Sequence, residues 1–242
     1  MIKAAIDRIL ELGSIQTIET DYGRLYTDRK VYEVAHEATA DTLNTTTLSS
    51  LVQYIKRFMI NDVANIEDHI VHVVNHDTVR LISNLNSDRK REILMNAHAE
   101  GPRFTYGTFM DSERFIISLQ SMFADDPGTD LALIKKFAGT TTAGSVTQYS
   151  DDGVSQQATI KQGAASRAKA VVPSPCKLRP YRTFAEIQQP ASRFVFRMKE
   201  QGDTVQCALF AADGDMWVRE AMDGIREYLE KELAGTGVLV IS

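Results

Sequence analysis

The chain has 242 residues, with 27 Lys+Arg against 32 Asp+Glu, five His and two Cys. Its 43% hydrophobic and 24% charged content suits a globular chain with a real core, which excludes disorder throughout. The net charge of −5 excludes a polycation coating nucleic acid, no apolar run approaches the ~20 residues that span a bilayer, and Cys176 and Cys207 supply neither a disulfide framework nor a CxxC pair.

The N-terminal run MIKAAIDRILELG interleaves acids with apolar residues and lacks an apolar h-region, so it does not read as a signal peptide. A cytoplasmic location with reduced thiols and no membrane partner is the expectation. Ile2, Ile6, Ile9 and Leu10 share one helical face and Gly13 is a stop, which predicts a short helix. Residues 15–34 read as extended chain around a turn at Asp21-Tyr22-Gly23. Residues 35–47 lack apolar periodicity and read as a loop. Thr46 and Thr47 are caps for a helix whose apolar stripe is Leu48, Leu51, Val52, Ile55, Phe58 and Met59.

Two β-branched runs, Ile70–Val74 and Val79–Ile82, flank Asn75-His76-Asp77 and predict a hairpin. Residues 88–98 fit strand or helix. Asp111 caps a helix carrying Phe115, Ile116, Leu119, Met122 and Phe123, and Asp126-Pro127-Gly128 ends it. A short helix through Leu131, Ile134 and Phe137 follows. Residues 139–170, rich in small and polar residues, read as strands with long loops. Arg193–Met198 and Val205–Leu209 alternate with period two around a Gln201-Gly202-Asp203 turn. A last helix from Asp215 has Trp217, Ala221, Ile225, Tyr228, Leu229 and Leu233 on its buried face, stops at Gly235, and precedes a closing strand at 238–241. Trp217 is expected to be buried against the 193–209 hairpin. The class is α+β: mainly antiparallel sheets with hairpins, packed by several amphipathic helices including the C-terminal one. One domain over 1–242 is expected, with 1–45 as an N-terminal arm and loop.

Catalytic signatures are weak. His69, His72 and His76 would share a face on a helix, but the β-branched residues between them favour a strand, which sends His69 and His72 to opposite faces. Asp125-Asp126, Asp151-Asp152 and Asp213-Gly214-Asp215 are candidate carboxylate pairs for metal-assisted hydrolysis, yet each sits where a turn or cap favours Asp. There is no G-x-S-x-G elbow, phosphate loop or GxGxxG. No catalytic, cofactor or metal residue is assigned.

One charge asymmetry stands out. Residues 161–199 hold nine basic residues and one acid, Glu186, a local +8 that leaves −13 on the remainder. Lys177, Arg179, Arg182, Arg193 and Arg197 form the candidate interaction patch. It suits either acidic protein surfaces, such as the acid-rich 213–232 region of another copy, or nucleic acid with Tyr181, Phe184 and Phe194 stacking on bases.

The segment Pro180-Tyr181-Arg182-Thr183-Phe184-x-Glu186-Ile187-x-Gln189-Pro190-x-Ser192, followed by Ala208-Leu209-Phe210-x-Ala212-Asp213-Gly214-x-x-Trp217, resembles the YfdQ-like family of bacteriophage and prophage proteins. Leu48-Ser49-Ser50-Leu51-Val52, Glu113–Phe123 and Asp151–Gln156 are similar to it too, and the resemblance spans roughly residues 45–233. Where that family's pattern has Glu-Ala-Asp-Gly-Gly before the Trp, this chain has Ala211-Ala212-Asp213-Gly214-Asp215. The resemblance implies an accessory role in a phage early programme, near recombination and replication, and supplies no active-site residues. Physically, Pro180 and Pro190 stiffen a crossing between strands. Arg182 and Glu186 satisfy its backbone or each other, Asp213-Gly214 turns the corner, and Trp217 packs the helix. The expected function is non-enzymatic: self-assembly as a homo-oligomer, with binding of a phage or host protein. Nucleic-acid binding is the alternative, and metal-dependent hydrolysis a weaker one.

Overall fold

A computed structural model describes residues 2–13, 17–19, 25–27, 40–59, 69–86, 89–148, 156–161, 167–172 and 174–242. The chain divides into two compact units, residues 1–39 and 40–242. In the first, α1 (Ile2–Gly13) carries Ile2, Ile6, Ile9 and Leu10, all exposed. β1 (Thr17–Glu19) pairs antiparallel with β2 (Leu25–Thr27), Thr17 facing Thr27. The turn expected at 21–23 lies outside the described residues.

The second unit begins with β3 (Leu43–Thr45) and α2 (Leu48–Tyr54), which runs on into one π-helical turn over Ile55–Met59. Thr47 has extended backbone and its hydroxyl accepts the Ser50 N–H, so α2 starts where the threonine pair places it. Leu48, Leu51, Val52 and Ile55 then fall on one buried face. The hairpin follows as β4 (Ile70–Asn75) and β5 (Thr78–Ile82), and the ambiguous 88–98 stretch resolves into β6 (Ile93–His98). Next come β7 (Met110–Asp111), α3 (Ser112–Met122), α4 (Leu131–Thr140), β8 (Thr141–Gln148), β9 (Gln156–Lys161) and β10 (Arg167–Val171). The chain closes with β11 (Cys176–Leu178), β12 (Ser192–Gln201), β13 (Thr204–Ala211), α5 (Met216–Glu232) and β14 (Leu239–Ile241).

Two hydrophobic cores result. In the five-stranded sheet, ordered β14-β4-β5-β6-β3, Val71 faces Leu81 and Val73 faces Val79. These side chains pack with Leu51 and Ile55 of the α2 run and Ile225 and Leu229 of α5. The four-stranded sheet, ordered β11-β12-β13-β7, turns Phe194, Phe196 and Met198 inward against Phe115 and Leu119 of α3 and Ile134 and Phe137 of α4. Phe115 and Phe196 stack with centroids 5.5 Å apart. The strands β8, β9 and β10 form a third, antiparallel sheet.

The α+β class, the hairpins and the C-terminal helix stand as the periodicity predicts. One expectation changes. Residues 43–45, read as loop, form β3, because they lie parallel to β6 with Leu43 beside Met95, a non-local pairing that no local pattern announces. Residues 43–45 of the stretch expected as arm and loop therefore belong to this sheet. The closing strand expected at 238–241 is present, and it lies parallel to β4, with Val240 beside Val71.

Candidate functional site

The 179–191 crossing links the two cores. Leu178 is buried in the core on the four-stranded sheet and Phe184 in the core on the five-stranded sheet, and both are almost fully inaccessible. Pro180 is buried and bridges to Phe123, while Tyr181 N–H donates to the Met122 carbonyl at 2.9 Å. Arg179 is held at its Nε 2.6 Å from Asp126 Oδ2, and its Nη1 donates to the Gln189 carbonyl at 2.7 Å. The Gly128 N–H and the neighbouring Arg179 keep the Asp126 carboxyl below its ordinary range.

Gln189, which the residue pattern did not single out as a site, organises this loop. Its Oε1 accepts the Arg182 N–H at 2.9 Å, and its Nε2 donates to the Phe184 carbonyl at 2.9 Å. A buried amide satisfying backbone on both sides is how an irregular segment tolerates burial. The buried Pro190 follows directly. The signals for it were its place in the Pro180–Ser192 motif and the Gln-Pro pair inside a segment too irregular for helix or strand.

Arg182 is the centre of the site. Its Nη2 donates to the Ser192 hydroxyl and to the Pro190 carbonyl, and its guanidinium lies over the Trp217 ring at 3.8 Å. Burial lowers its pKa, while Tyr106, Asp213 and Asp215 favour its charge. Burial also pushes the Tyr106 phenol up to about 12. Two expectations are corrected here. Of the two roles expected for Arg182 and Glu186, Arg182 takes the first, satisfying the crossing's own Pro190 carbonyl, but Glu186 takes neither: its Oε1 accepts the Ser49 N–H at 2.9 Å and the Ser49 hydroxyl at 3.1 Å, capping α2 from a remote segment. Trp217 is not buried against the 193–209 hairpin. It is half-exposed, between Arg182 and the edge of His76 at 4.7 Å, because Gly214 and Asp215, both at positive φ, turn the chain before the helix starts. Asp213 has one buried carboxylate oxygen without a hydrogen-bond donor among the described residues.

His76 sits in the β4–β5 turn, where its carbonyl accepts the Thr183 hydroxyl. Beside it Asp77 is nearly buried, accepting from Thr78 at 2.9 Å and from Arg103 at 2.9 Å, with His98 Nδ1 3.8 Å away. Burial favours the neutral His76 ring and lowers its pKa, as Arg103 and Arg182 do, against the opposing pull of Asp77 and Asp215. Burial alone would raise Asp77, but Thr78, His76, Arg103 and His98 together hold it below its ordinary value. This joins a turn, a strand end and the crossing. A cleft of about 480 Å³ lies alongside, lined by Thr46, Arg103, Tyr181, Arg182 and Glu186 among others.

The five basic candidates do not form one patch. Arg179 and Arg182 are consumed by the crossing. Lys177 and Arg193 are cross-strand partners on the outer face of the four-stranded sheet, both exposed, and alternation puts Arg197 on that same face. Phe210 lies opposite Val195 there, and Lys199 Nζ is 4.3 Å from the Phe109 ring. On α5, Glu220, Asp223 and Glu227 share a stripe with Tyr228, bordering a groove of about 700 Å³ against Glu186 and Ile187.

Cys176 and Cys207 are free and buried, and burial pushes both thiols up to about 12, so neither is a thiolate nucleophile. Among the described residues no three His, Cys, Asp or Glu side chains are grouped to hold a metal ion. His72 lies opposite Arg80 in the sheet, Asp126 is tied into its own turn at Gly128, and Asp151-Asp152 lie outside the described residues. Among the described residues no helix is long and apolar enough to cross a membrane. Compared with protein-family models, curated proteins and solved structures, the chain gives no match.

Proposed function

We propose that this protein acts by binding rather than catalysis, and that it assembles with copies of itself. The observation that supports this reading is the separation of charge within the second unit. Lys177 and Arg193 form an exposed basic rung on the sheet, and acids at 220, 223 and 227 line one stripe of α5. Among the described residues no ion pair joins that rung to α5. Different, complementary surfaces on one chain give heterologous contacts, which close into rings or extend. The resemblance to the YfdQ-like family adds the setting, an accessory role in a phage early programme inside the bacterial cell. Light scattering at low ionic strength should give a mass several times 27.0 kDa, falling as salt is raised. A monomer at micromolar concentration in low salt would remove this reading.

A second reading is single-stranded nucleic-acid binding by the same sheet face, favoured by the half-exposed Phe210 and by Lys199 over Phe109 beside the basic rung. Affinity would then fall steeply with salt and for all sequences alike in Arg193→Ala. An unchanged elution position with oligonucleotides at low salt would dispose of it.

A further inference from the structure

We propose that the groove between α5 and residues 186–188 is a receptor for a guanidinium or ammonium side chain, supplied by the Lys177–Arg193 rung of a second copy of this chain. This rests on the self-association reading above and says where the contact is made.

The groove has the chemistry of a cation seat. Met216, Glu220, Gly224 and Tyr228 recur every four residues along α5, with Asp223 and Glu227 in the adjoining row, so together they make one continuous wall about three turns long. Glu186 and Ile187 make the other wall. Asp223 already binds Arg226 at 3.2 Å, but Glu220 and Glu227 form no ion pair among the described residues. Glu186 spends one carboxylate oxygen on Ser49, and its other oxygen is buried without a donor among the described residues. Against these four acids the groove sets two basic residues, Arg219 and Lys231, so it keeps an excess of negative charge.

The groove is also partly apolar. At Gly224 the helix presents no side chain, and a Cβ there would lie 3.5 Å from Ile187 Cδ1. Ile187 and Tyr228 are half-buried beside it. An arginine side chain matches both features, its methylene stem lying on apolar surface and its planar head engaging carboxylates at two edges. Polyanions are repelled by the same lining. Arg193 fits as the donor because it is exposed, lies on a regular strand, and has Lys177 directly across the rung to engage a second carboxylate.

The test is a charge exchange followed by light scattering and sedimentation at low salt. Arg193→Glu and Glu227→Arg are both surface changes, and circular dichroism checks that each stays folded. Each alone should weaken self-association at least tenfold, and so should Glu220→Gln combined with Glu227→Gln. An equimolar mixture of the two charge-reversed variants should recover assembly, since the new acid on one meets the new base on the other. If the wild type assembles and these variants assemble equally well, the groove assignment is wrong while self-association stands. If single variants are impaired but the mixture does not recover, the pairing of Arg193 with the groove is wrong. If the wild type does not assemble at all, the reading beneath it falls as well.

Discussion

The Arg182 guanidinium lies 3.8 Å from the centre of the Trp217 ring, which ties the 179–191 crossing to the first turn of α5. Cation–π contacts contribute about 0.5–2 kcal/mol, most when desolvated. Because Trp217 is half-exposed, Trp217→Ala should cost about 1–2 kcal/mol, not the ~3–5 kcal/mol of a core tryptophan. The variant should stay soluble and folded, with a lower urea midpoint at an unchanged slope. Insoluble protein would show that the ring carries more of the packing than this geometry allows.

Phe184 provides the contrast. It is 1% exposed and is the crossing's anchor in the core built on the five-stranded sheet. Phe184→Ala should cost about 3–5 kcal/mol and yield poorly folded protein, while Phe184→Leu is tolerated better. Urea unfolding of the two variants checks the order.

Glu186 reaches across 137 positions to cap α2 through Ser49. A hydrogen bond to a charged group contributes about 1.5–3 kcal/mol, so Glu186→Ala should lose about that much, and Glu186→Gln less, since its amide oxygen still accepts. Faster hydrogen exchange confined to residues 48–55 would identify the loss as the cap.

His76 makes stability depend on pH with a definite sign. Burial lowers its pKa below 6.5, so the unfolded chain binds the proton more readily than the native one. Its contribution is complete above 6.5 and declines as pH falls through the lower native value. Asp77, also lowered, keeps its contribution above its ordinary 3.8 and loses it only as pH falls through its own native value. His76→Gln should therefore flatten the decline that sets in as pH falls below 6.5, and leave the more acid limb carried by Asp77 in place. Urea midpoints across that range measure it, and a profile identical to wild type would exclude His76 as the cause.

Both cysteines should resist a thiol reagent near pH 8, because burial holds their thiols protonated and covered. Two thiols should react once the chain is unfolded in urea. Rapid labelling of the native protein would contradict the burial of Cys176 and Cys207.

The sequence by itself determined the elements whose signal is local. Thr47 and Asp111 cap their helices through the Ser50 and Arg114 N–H groups, and apolar spacing placed the buried faces of α2, α3 and α4. Alternation fixed the β12–β13 hairpin, since a period-two pattern admits one inward register. It did not determine β3, whose three residues become a strand only because β6 is already there to pair with. Nor did it separate the basic residues by role. Charge density counts Arg179, Arg182 and Arg193 alike, but the crossing brings Asp126 to the first and Trp217 to the second, and leaves the third on an open sheet face. The same non-local geometry decided Trp217. Its position on the apolar stripe of α5 predicted burial, but that stripe meets the core only from Ala221 onward, because the left-handed Gly214-Asp215 corner starts the helix outside it. Local free energies select helices, turns and strand faces. Which face of a helix's first turn finds a partner is set by the packing of segments far apart in the chain, and no local pattern carries that information.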